Sequence, residues 1–519
     1  MRVFGFHRIG FEGQPVEVEI DVRPGGLPGI DLVGLPGNAV REAKDRVRSG
    51  VRNSGFRIPK GRILMNLTPA GIRKDGAGFD LPIALAIVSA SLGWTEAEDS
   101  APPIDIMALG EMQLTGSVKG VRGVLPASAT AREYGMTLLI VPRDNYEEAA
   151  SLGYRHVLGI SHLREGVEAV DALLRGEPLP ENKAAGDTLQ KIPLPGGNIP
   201  DFSDVRGQSY LKRGMEIAAA GGHHSLVFGV PGTGKTMSAL RLSGILPDLE
   251  PDEAVEVTKI YSIAGKLDFF PGLITRPQAR SPHHSSSLQG ILGGGPGLLP
   301  GEISLAHRGV LILDEAPEFS GHVLQNLREP MERGAVHIAR AGKSAWFPAR
   351  FQLVMTANPC PCGNLGKKTG VCVCSQEEIA RYWRKIGGAL LDRIDIRIPV
   401  ETEGTLELSG DATESSGQIR ARVEAATRFR IETRSQRVRN CDLAGSRYSD
   451  YGGVSEAAKR LLAKACEKLD LSSRAVHSVL RVSRTIADLK QSEEIDEESM
   501  QEAIVYRRYG DGNFLWAEV

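Results

Sequence analysis

The sequence has no excess of charge, few cysteines and no long apolar run. Its 62 Lys and Arg residues face 64 Asp and Glu residues, so nucleic-acid binding through a basic field over the whole chain is excluded. The longest nearly apolar run, LPIALAIVSASLGW, is shorter than the roughly 20 residues of a membrane span. The start MRVFGFHRIG has no apolar signal core. We therefore expect a soluble, cytoplasmic protein without a membrane partner.

The 519 residues exceed what one hydrophobic core holds, because single cores stop growing at roughly 250 to 300 residues. Alternating apolar segments predict an α/β domain over residues 1–172. A stretch rich in Pro, Gly and polar residues predicts a linker over 173–200. Short apolar runs alternating with helical patterns predict a doubly wound α/β core over 201–400. A polar, irregular connecting segment and three helices with Ser or Asp at their N-caps are predicted over 401–519.

A glycine-rich motif, GVPGTGKT, follows the apolar strand HSLVF and precedes the helical run MSALRLSGIL. This order of strand, loop and helix is the context of a P-loop, G-x-x-x-x-G-K-[ST]. Backbone N–H groups of such a loop surround phosphate oxygens, the Lys carries positive charge to the β and γ phosphates, and the hydroxyl is a Mg²⁺ ligand. The predicted nucleotide-binding residues are Gly229, Val230, Pro231, Gly232, Thr233, Gly234, Lys235 and Thr236.

Two further apolar strands end in polar residues. Asp314 and Glu315 follow GVLIL, and Asn358 follows FQLVMTA. Because ligands of open α/β sheets bind at the carboxyl ends of strands, we expect Asp314 to hold Mg²⁺ with Thr236, Glu315 to act as general base, and Asn358 to orient water or sense the γ-phosphate. Acids can merely cap a strand, but the order of P-loop, acidic pair and Asn favours ATP hydrolysis with Mg²⁺.

The order of P-loop, LILDE, TAN and LLDRIDI resembles that of AAA+ ATPases, and SPHHSSSLQGILGGGPGLLPGEISLAHRGVLILDEAPEF resembles their magnesium-chelatase-like branch. Together with the N-terminal domain and NPCPCG, nearly the whole chain resembles the ComM (YifB) family. The resemblance implies an ATP-dependent homohexameric ring with each ATP between neighbouring subunits. It further implies a DNA translocase that promotes branch migration in homologous recombination, as in natural transformation, on single-stranded or branched DNA and with recombination proteins as further partners.

The same resemblance assigns roles to three more residues. Arg393 matches the arginine finger that reaches a neighbour's ATP, and such fingers contribute on the order of 10³ to 10⁵ in rate. Read from the residues alone, Arg393 and the flanking acids could equally form a surface ion-pair cluster. Arg474 matches the second sensor, a lid arginine on the γ-phosphate; it lies in a helix's first turn, where the dipole disfavours a cation unless a phosphate is present. Gln208 matches a position that contacts adenine.

Two segments could contact DNA. AVHIARAGKSAWFPARFQLV predicts a β-hairpin turning at AGK, and in related ring helicases such hairpins enter the central pore. Lys343 and Arg340 would then present six copies to the DNA backbone, although Lys343 could be an exposed turn lysine without a partner. The run QIRARVEAATRFRIETRSQRVRN has seven arginines, which fit either a solvated helix face or DNA contact.

The N-terminal domain limits the alternatives. KDGAGFDLPIALAI and LGEMQLTGSVKGVRGVLPASATAREYG resemble the proteolytic domain of Lon, a ribosomal S5 domain 2-like α/β fold. That family uses a nucleophilic Ser and an activating Lys, but Gly76 and Leu125 stand at the matching positions. Peptidase activity is therefore not expected, and the domain would form the ring or guide substrate. Three other functions stay open: a magnesium-chelatase motor subunit for metal insertion into a porphyrin, an unfoldase, and a non-catalytic scaffold.

Four of the six cysteines lie within fifteen residues, namely Cys360, Cys362, Cys372 and Cys374. Two C-x-C pairs separated by nine residues can surround one tetrahedral ion, and such clusters in a reducing compartment are more often metal sites than disulfides. We predict structural Zn²⁺, with a redox pair or unliganded thiols as alternatives. Because the cluster lies between Asn358 and Arg393, we expect it to stiffen the subunit interface of the ring.

Overall fold

The structure, a computed structural model, describes residues 1–23, 29–94, 104–154, 156–180, 200–267, 272–340, 343–367, 370–400, 414–445 and 447–509. These residues divide into two compact units. The first unit comprises the described residues of 1–195, 254–274 and 339–346, and the second comprises those of 196–253, 275–338 and 347–519. The sequence pattern does not mark 254–274 or 339–346 as parts of the first unit. No helix in the described ranges is long and apolar enough to cross a membrane.

The secondary structure follows the predicted α/β pattern. Residues up to 180 form strands β1 (Arg2–Ile9), β2 (Glu12–Arg23), β3 (Gly29–Val33), β4 (Arg62–Thr68), β5 (Asp105–Ala108), β6 (Glu111–Met112), β7 (Val118–Lys119), β8 (Leu138–Pro142) and β9 (Val157–Ile160), and helices α1 (Asn38–Asn53), α2 (Asp80–Leu92), α3 (Val124–Glu133), α4 (Tyr146–Ala150) and α5 (Leu163–Leu174). From residue 200 onward the strands are β10 (Ser225–Gly229), β11 (Ala279–Arg280), β12 (Gly293–Gly294), β13 (Leu299–Pro300), β14 (Val310–Leu313), β15 (Ala335–Arg340), β16 (Lys343–Pro348), β17 (Gln352–Ala357) and β18 (Ile396–Val400). The helices are α6 (Ser209–Gly221), α7 (Lys235–Ile245), α8 (Pro251–Ala264), α9 (Leu288–Leu292), α10 (Glu302–Leu305), α11 (Gly321–Asn326), α12 (Arg328–Arg333), α13 (Gln376–Arg384), α14 (Gly388–Leu391), α15 (Ser416–Arg428), α16 (Glu456–Leu469), α17 (Ser473–Leu489) and α18 (Glu497–Arg507).

The first unit contains a mixed, seven-stranded sheet in the order β3-β4-β2-β1-β5-β8-β9. Strand β2 pairs antiparallel with both β1 and β4, whereas the outer pairs are parallel. Helix α1 buries one stripe, formed by Val40, Ala43, Val47 and Val51, at the spacing of an amphipathic helix. Helix α2 is apolar nearly all round and buries every residue from Asp80 to Val88. Helix α2 therefore lies inside the hydrophobic core of the first unit.

The second unit is built on a five-stranded sheet in the order β11-β14-β17-β10-β18, with parallel pairing throughout. Strands β10, β14 and β17 are buried along their whole length, which explains their continuous apolar sequences. Because the strands are parallel, their carboxyl ends lie at one edge of the sheet. The P-loop, the acidic pair and Asn358 all follow strands at that edge.

The three C-terminal helices expected from the sequence are present as α16, α17 and α18. The side chains of Ser455, Ser472 and Asp496 cap them by accepting backbone N–H groups three residues on, which satisfies donors that a helix start leaves open.

The connecting segment differs from the sequence-based expectation, because it contains helix α15 with a capping box formed by Ser415 and Gln418. The buried stripe of this helix, which includes Ile419, Val423 and Ala426, is narrow. Because arginines lie between these apolar residues, the apolar spacing of a helix is weak in the sequence. Residues 401–413 of that segment lie outside the described ranges.

Candidate nucleotide-binding site

The P-loop connects the end of β10 to the start of α7. Gly232 and Gly234 have φ values of 85° and 83°, in the left-handed region that glycine adopts without steric cost. The hydroxyl of Thr233 donates to the carbonyl of Val230 at 2.9 Å and closes the loop on itself. Helix α7 therefore begins at Lys235 with the free N–H groups of its first turn at the loop, an arrangement suited to phosphate.

Lys235 is folded back onto the loop and is only 7% exposed. Its Nζ donates to the carbonyls of Gly229 at 2.8 Å and Val230 at 2.9 Å, and to Oδ1 of Asn358 at 3.2 Å. Burial lowers the pKa of Lys235 to about 8, against the opposing charges of the acidic pair. The structure thus brings the predicted lysine and the predicted strand-end amide together.

The acidic pair contacts both neighbouring elements. Oδ1 of Asp314 accepts the Thr236 hydroxyl at 2.8 Å and the Thr356 hydroxyl at 2.6 Å. The backbone N–H of Glu315 donates to Thr356 Oγ1 at 2.9 Å. A hydroxyl and a carboxylate oxygen side by side fit a Mg²⁺ ion, which prefers hard oxygen ligands. Thr356 was not predicted, since one Thr inside a buried strand has no motif to mark it.

Glu315 adopts φ 51° and ψ 52°, a left-handed conformation that is uncommon for a residue with a side chain. Conformations of this kind concentrate at functional sites, where the surrounding structure holds them. Here the hydrogen bond from Glu315 N–H to Thr356 holds the backbone, while the Glu315 side chain is exposed beyond the strand end. An exposed carboxylate in this place is suited to accept a proton from water.

Arg393 and Arg474 meet at one carboxylate that the sequence did not reveal. Arg393, 9% exposed, donates to Glu332 Oε1 and to the carbonyl of Ala389. Arg474 Nη2 donates to the same oxygen of Glu332 at 3.3 Å. The hydrogen bond from Arg393, together with Arg474, lowers the pKa of Glu332. Two guanidinium groups predicted to bind phosphate therefore lie side by side.

Gln208 lies directly before α6 with φ 55°, and its predicted adenine contact stays a prediction.

The predicted hairpin is confirmed as β15 and β16, with its turn residues 341–342 outside the described ranges. Lys343 belongs to the first unit, where its Nζ pairs with Asp75 Oδ2 at 2.6 Å while 45% exposed. Arg340 is exposed.

The arginine-rich run has partners in the second unit. Arg420 pairs with Asp248 and Glu424, and Arg422 with Glu216 and Glu414. Arg430 donates to the carbonyl of Val438. Arg434 binds both carboxylate oxygens of Asp488 at 3.0 Å. Four of the seven arginines therefore have partners inside this unit, and three of these four form ion pairs.

The two positions that would carry peptidase chemistry hold no reactive group. Gly76 has φ 115°, and a side chain there would meet nothing within 4 Å. Leu125 is fully buried in the first unit's core.

The four clustered cysteines have their Sγ atoms within 4.8 Å of one another. Cys360 Sγ lies 3.4 Å from Cys362 and 3.6 Å from Cys372, and Cys362 and Cys372 are 3.7 Å apart. A tetrathiolate Zn²⁺ site with Zn–S bonds of about 2.3 Å has S–S edges of about 3.8 Å. Burial raises the pKa of Cys360 to about 12, while backbone hydrogen bonds from Asn364 and Val373 lower that of Cys362 to about 6. The cluster could hold a zinc ion.

The P-loop lysine, the acidic pair and the amide at one edge of a parallel sheet define a P-loop nucleotide-binding protein. Family models match three regions: "Magnesium chelatase, subunit ChlI" over residues 201–408, "Subunit ChlI of Mg-chelatase" over 17–145, and "Magnesium chelatase, subunit ChlI C-terminal" over 413–507. This family is AAA+-like, which supports an ATPase that uses ATP and Mg²⁺.

Similar proteins extend over nearly the full chain. The uncharacterised protein YifB of Escherichia coli (strain K12) is 40% identical over 502 residues, which cover 96% of this chain and 95% of its own. Competence protein ComM of Haemophilus influenzae is 39% identical over 510 residues, 97% of each chain. The 38 kDa magnesium-chelatase subunit of Rhodobacter capsulatus is 27% identical over 179 residues, 30% of this chain and 50% of its own. The chain belongs to the ComM/YifB family of magnesium-chelatase-like proteins.

Proposed function

We propose that the protein is an ATP-driven DNA translocase that works as a homohexamer and promotes branch migration in homologous recombination, as in natural transformation. One observation carries this proposal: an assembled P-loop site in a chain similar over 97% of its length to a protein named for competence. Recombination proteins are proposed as further partners.

ATP hydrolysis would use the groups at the edge of the second unit's sheet. Lys235 would exchange the carbonyls of Gly229 and Val230 for phosphate oxygens, an exchange favoured by the negative charge of ATP. Thr236 and Asp314 would hold Mg²⁺, which neutralises phosphate charge when bound. Asn358 would turn its amide to the attacking water, and the Glu315 carboxylate would accept that water's proton.

Arg393 and Arg474 would complete the site of a neighbouring subunit. Both donate to Glu332 in the isolated chain, so a phosphoryl group of similar charge can replace that carboxylate without leaving either arginine unpaired. Because Arg393 and Arg474 donate to the same carboxylate oxygen, we expect both arginines to bind the same phosphate group. A homohexamer supplies each ATP with such a pair, and we expect ring formation to depend on nucleotide.

We propose that the β15–β16 hairpin contacts DNA. Lys343 pairs with Asp75 at 2.6 Å, and this pair is exposed enough to exchange, since surface ion pairs contribute only about 0 to 1 kcal/mol. A DNA phosphate would replace the Asp75 carboxylate, while Arg340 would add a second contact. Six hairpins in a ring would line the central channel with positive charge, although each chain has nearly equal numbers of acidic and basic residues.

The decisive experiment is a branch-migration assay on a synthetic four-way or three-strand junction. We expect ATP-dependent strand exchange by the wild type and none by Lys235→Ala. Strand exchange absent from the wild type would refute the DNA proposal while leaving the ATPase proposal intact. ATPase activity with and without single-stranded or branched DNA supplies the second measurement.

The hairpin assignment has a matched pair of variants. Lys343→Ala should lose DNA stimulation of ATPase activity and keep the basal rate. Asp75→Ala removes the competing carboxylate and should keep or increase the stimulation, particularly at raised salt. Equal stimulation in wild type and Lys343→Ala would remove Lys343 from the DNA interface.

A magnesium-chelatase motor subunit is the second candidate, and the family-model descriptions favour it. The similarity to a named chelatase subunit covers only 30% of this chain, which favours the first proposal. ATPase activity that ignores DNA and responds to a porphyrin with chelatase partner subunits would reverse this order.

We also propose that Cys360, Cys362, Cys372 and Cys374 hold one structural Zn²⁺ per chain. The proposal is supported by the Sγ separations of 3.4 to 3.7 Å among Cys360, Cys362 and Cys372, which are close to tetrahedral edges, and by Cys374 Sγ, which lies within 4.8 Å of the other three. Metal analysis should give about one zinc per chain in the wild type and a loss of it in the Cys360→Ser, Cys374→Ser double variant.

A further inference from the structure

The cysteine loop, residues 360–374, begins two residues after Asn358 and ends directly before Ser375, which caps α13. Both ends of the loop are therefore attached to fixed elements. At the first end, the indole Nε1 of Trp383 in α13 donates to the carbonyl of Pro359 at 3.1 Å, and this hydrogen bond is buried. At the second end, Ser375 and Glu378 form a capping box.

Inside the loop, Gly363 lies against the P-loop of its own subunit. It is buried with φ 75°, and a Cβ added to it would lie 2.7 Å from Cγ and 3.2 Å from Cδ of Pro231. No side chain fits at that separation without a shift of one loop. Pro231, which is exposed on its other side, is the third residue of GVPGTGKT, so the cysteine loop contacts the P-loop at this residue.

The loop is also close to the group that contacts Lys235. Asn358, whose Oδ1 accepts from Lys235 Nζ at 3.2 Å, precedes Cys360 by one proline. Tyr382 in α13 takes a backbone hydrogen bond from Asn358. Trp383 also packs edge-on against Phe228, with ring centroids 6.2 Å apart, and Phe228 belongs to the strand that leads into the P-loop.

A metal would fix this loop strongly. Without one, the described part of the segment between Cys362 and Cys372 is held by weak contacts among thiols, since S–H groups are poor donors and acceptors, and by a few backbone hydrogen bonds, such as those of Asn364 and Val373 to Cys362. A tetrathiolate site instead supplies folding free energy directly to the segment that carries it. The restraint would pass through Gly363 to Pro231 and through Pro359 to Asn358.

We propose that the metal held by the four cysteines keeps the ATP site of its own subunit in its phosphate-binding geometry, so that metal occupancy sets ATP affinity. This inference rests on the zinc site proposed above. It changes the expected role of the cluster from a brace between subunits to a support beneath one subunit's P-loop and sensor amide.

The first test uses the full chain in three states: as purified with zinc, stripped by a chelator with reductant and dialysed, and reloaded with Zn²⁺. Binding of a fluorescent ATP analogue is measured with Mg²⁺ present in every state. We expect the dissociation constant to rise about tenfold on stripping, equivalent to about 1.4 kcal/mol, and to recover on reloading. Cys362→Ser should match the stripped protein, and Cys466→Ser, outside the cluster, should match the wild type.

The second test separates the loop contact from metal binding. Gly363→Ala should keep about one zinc per chain and still weaken ATP-analogue binding by a similar factor, because its Cβ displaces Pro231. Gly176→Ala is the control: its φ is 72°, and a Cβ there meets nothing within 4 Å, so it carries the same backbone strain without the contact.

Equal affinities of the zinc-loaded and stripped proteins would overturn the inference, as would normal binding by Gly363→Ala in which circular dichroism shows an intact fold. Zinc absent from all preparations would overturn both the zinc site and the inference. None of these three results touches the proposed translocase function, which is tested by strand exchange and ATPase activity in the wild type.

Discussion

Thr356 is the residue that holds the acidic pair in place, and replacing it with Val should impair Mg²⁺-dependent catalysis. Its hydroxyl donates to Asp314 Oδ1 at 2.6 Å and accepts the N–H of Glu315 at 2.9 Å. Val has nearly the same shape as Thr, so the substitution removes these two hydrogen bonds and leaves the packing of the buried strand unchanged. The Thr356 side chain is only 1% exposed, so water does not reach its hydroxyl, whereas the Asp314 carboxylate is partly exposed at the strand end.

The size of the effect follows from the charge of the partners. A hydrogen bond to a charged group contributes about 1.5 to 3 kcal/mol, and a buried N–H left without a partner costs about 1 to 3 kcal/mol. The free energy lost with the hydrogen bond to Asp314 is smaller than this range suggests, because Asp314 also accepts the Thr236 hydroxyl. We therefore expect a net loss of about 2 kcal/mol at the Mg²⁺ site, or roughly thirtyfold in the Mg²⁺ concentration for half-maximal activity.

The assay is a titration of ATPase activity with Mg²⁺ at saturating ATP. Thr356→Val should shift the midpoint upward and lower kcat, since the left-handed backbone of Glu315 loses the hydroxyl that holds it. Thr356→Ser keeps the hydroxyl and should restore most of both parameters. A Val variant with an unchanged Mg²⁺ midpoint and kcat would show that Thr356 does not position the acidic pair.

Lys235, Arg393 and the N-cap of α17 can each be tested by one substitution. Lys235 has a pKa of about 8 without nucleotide, and only its protonated form attracts phosphate; ATP affinity should therefore fall about tenfold per pH unit above pH 8, and Lys235→Arg should flatten that profile. Arg393→Ala should lower kcat by on the order of 10³ and leave ATP binding intact, and mixing it with inactive Glu315→Gln subunits should restore part of the activity if the arginine acts across subunits. Ser472→Ala removes the N-cap of α17, worth about 1 kcal/mol, and should speed hydrogen exchange in the first turn of α17 several-fold while the first turn of α16 stays unchanged.

Much of the nucleotide site could be predicted because its residues lie in continuous segments. The P-loop motif requires a strand before it and a helix after it, and β10 and α7 are in those places. The strands before Asp314 and Asn358 are buried on both faces, so their apolar runs identify them without an alternating pattern. The starts of α16, α17 and α18 could also be predicted from the sequence, since a Ser or Asp at the N-cap is a local signal.

The rest depends on contacts between segments that are distant in sequence. Glu332 lies 61 residues from Arg393 and 142 from Arg474, and nothing in the sequence MERG indicates a shared carboxylate. The contact of Gly363 with Pro231 joins residues more than 130 positions apart. Helix α15 is not predicted for a different reason. Its arginines pair with acids from other elements, so its sequence is highly charged and is typical of a polar connecting segment, although the helix packs on the core.

The position of Arg393 is tied to helix α17 by a second residue, Asp395. Its carboxylate is 3% exposed and accepts the Ser478 hydroxyl at 2.5 Å and Arg481 Nη2 at 3.2 Å, both from α17. His223 Nδ1 lies 3.0 Å from its other oxygen. Although burial alone would raise the pKa of Asp395, Arg481 and the hydrogen bonds from His223 and Ser478 hold it well below its usual range.

Breaking such a buried pair costs about 3 to 5 kcal/mol, whereas the Glu332 side chain is 51% exposed, so its ion pair with Arg474, itself 45% exposed, contributes only about 0 to 1 kcal/mol. Arg474 lies in the first turn of the same α17, and Arg393 precedes Asp395 by two residues. The two arginines are thus joined by a strong internal contact at Asp395 and by a weak, replaceable one at Glu332. A movement of α17 that brings Arg474 to a phosphate must carry Arg393 with it, while Glu332 can be exchanged for that phosphate at little cost.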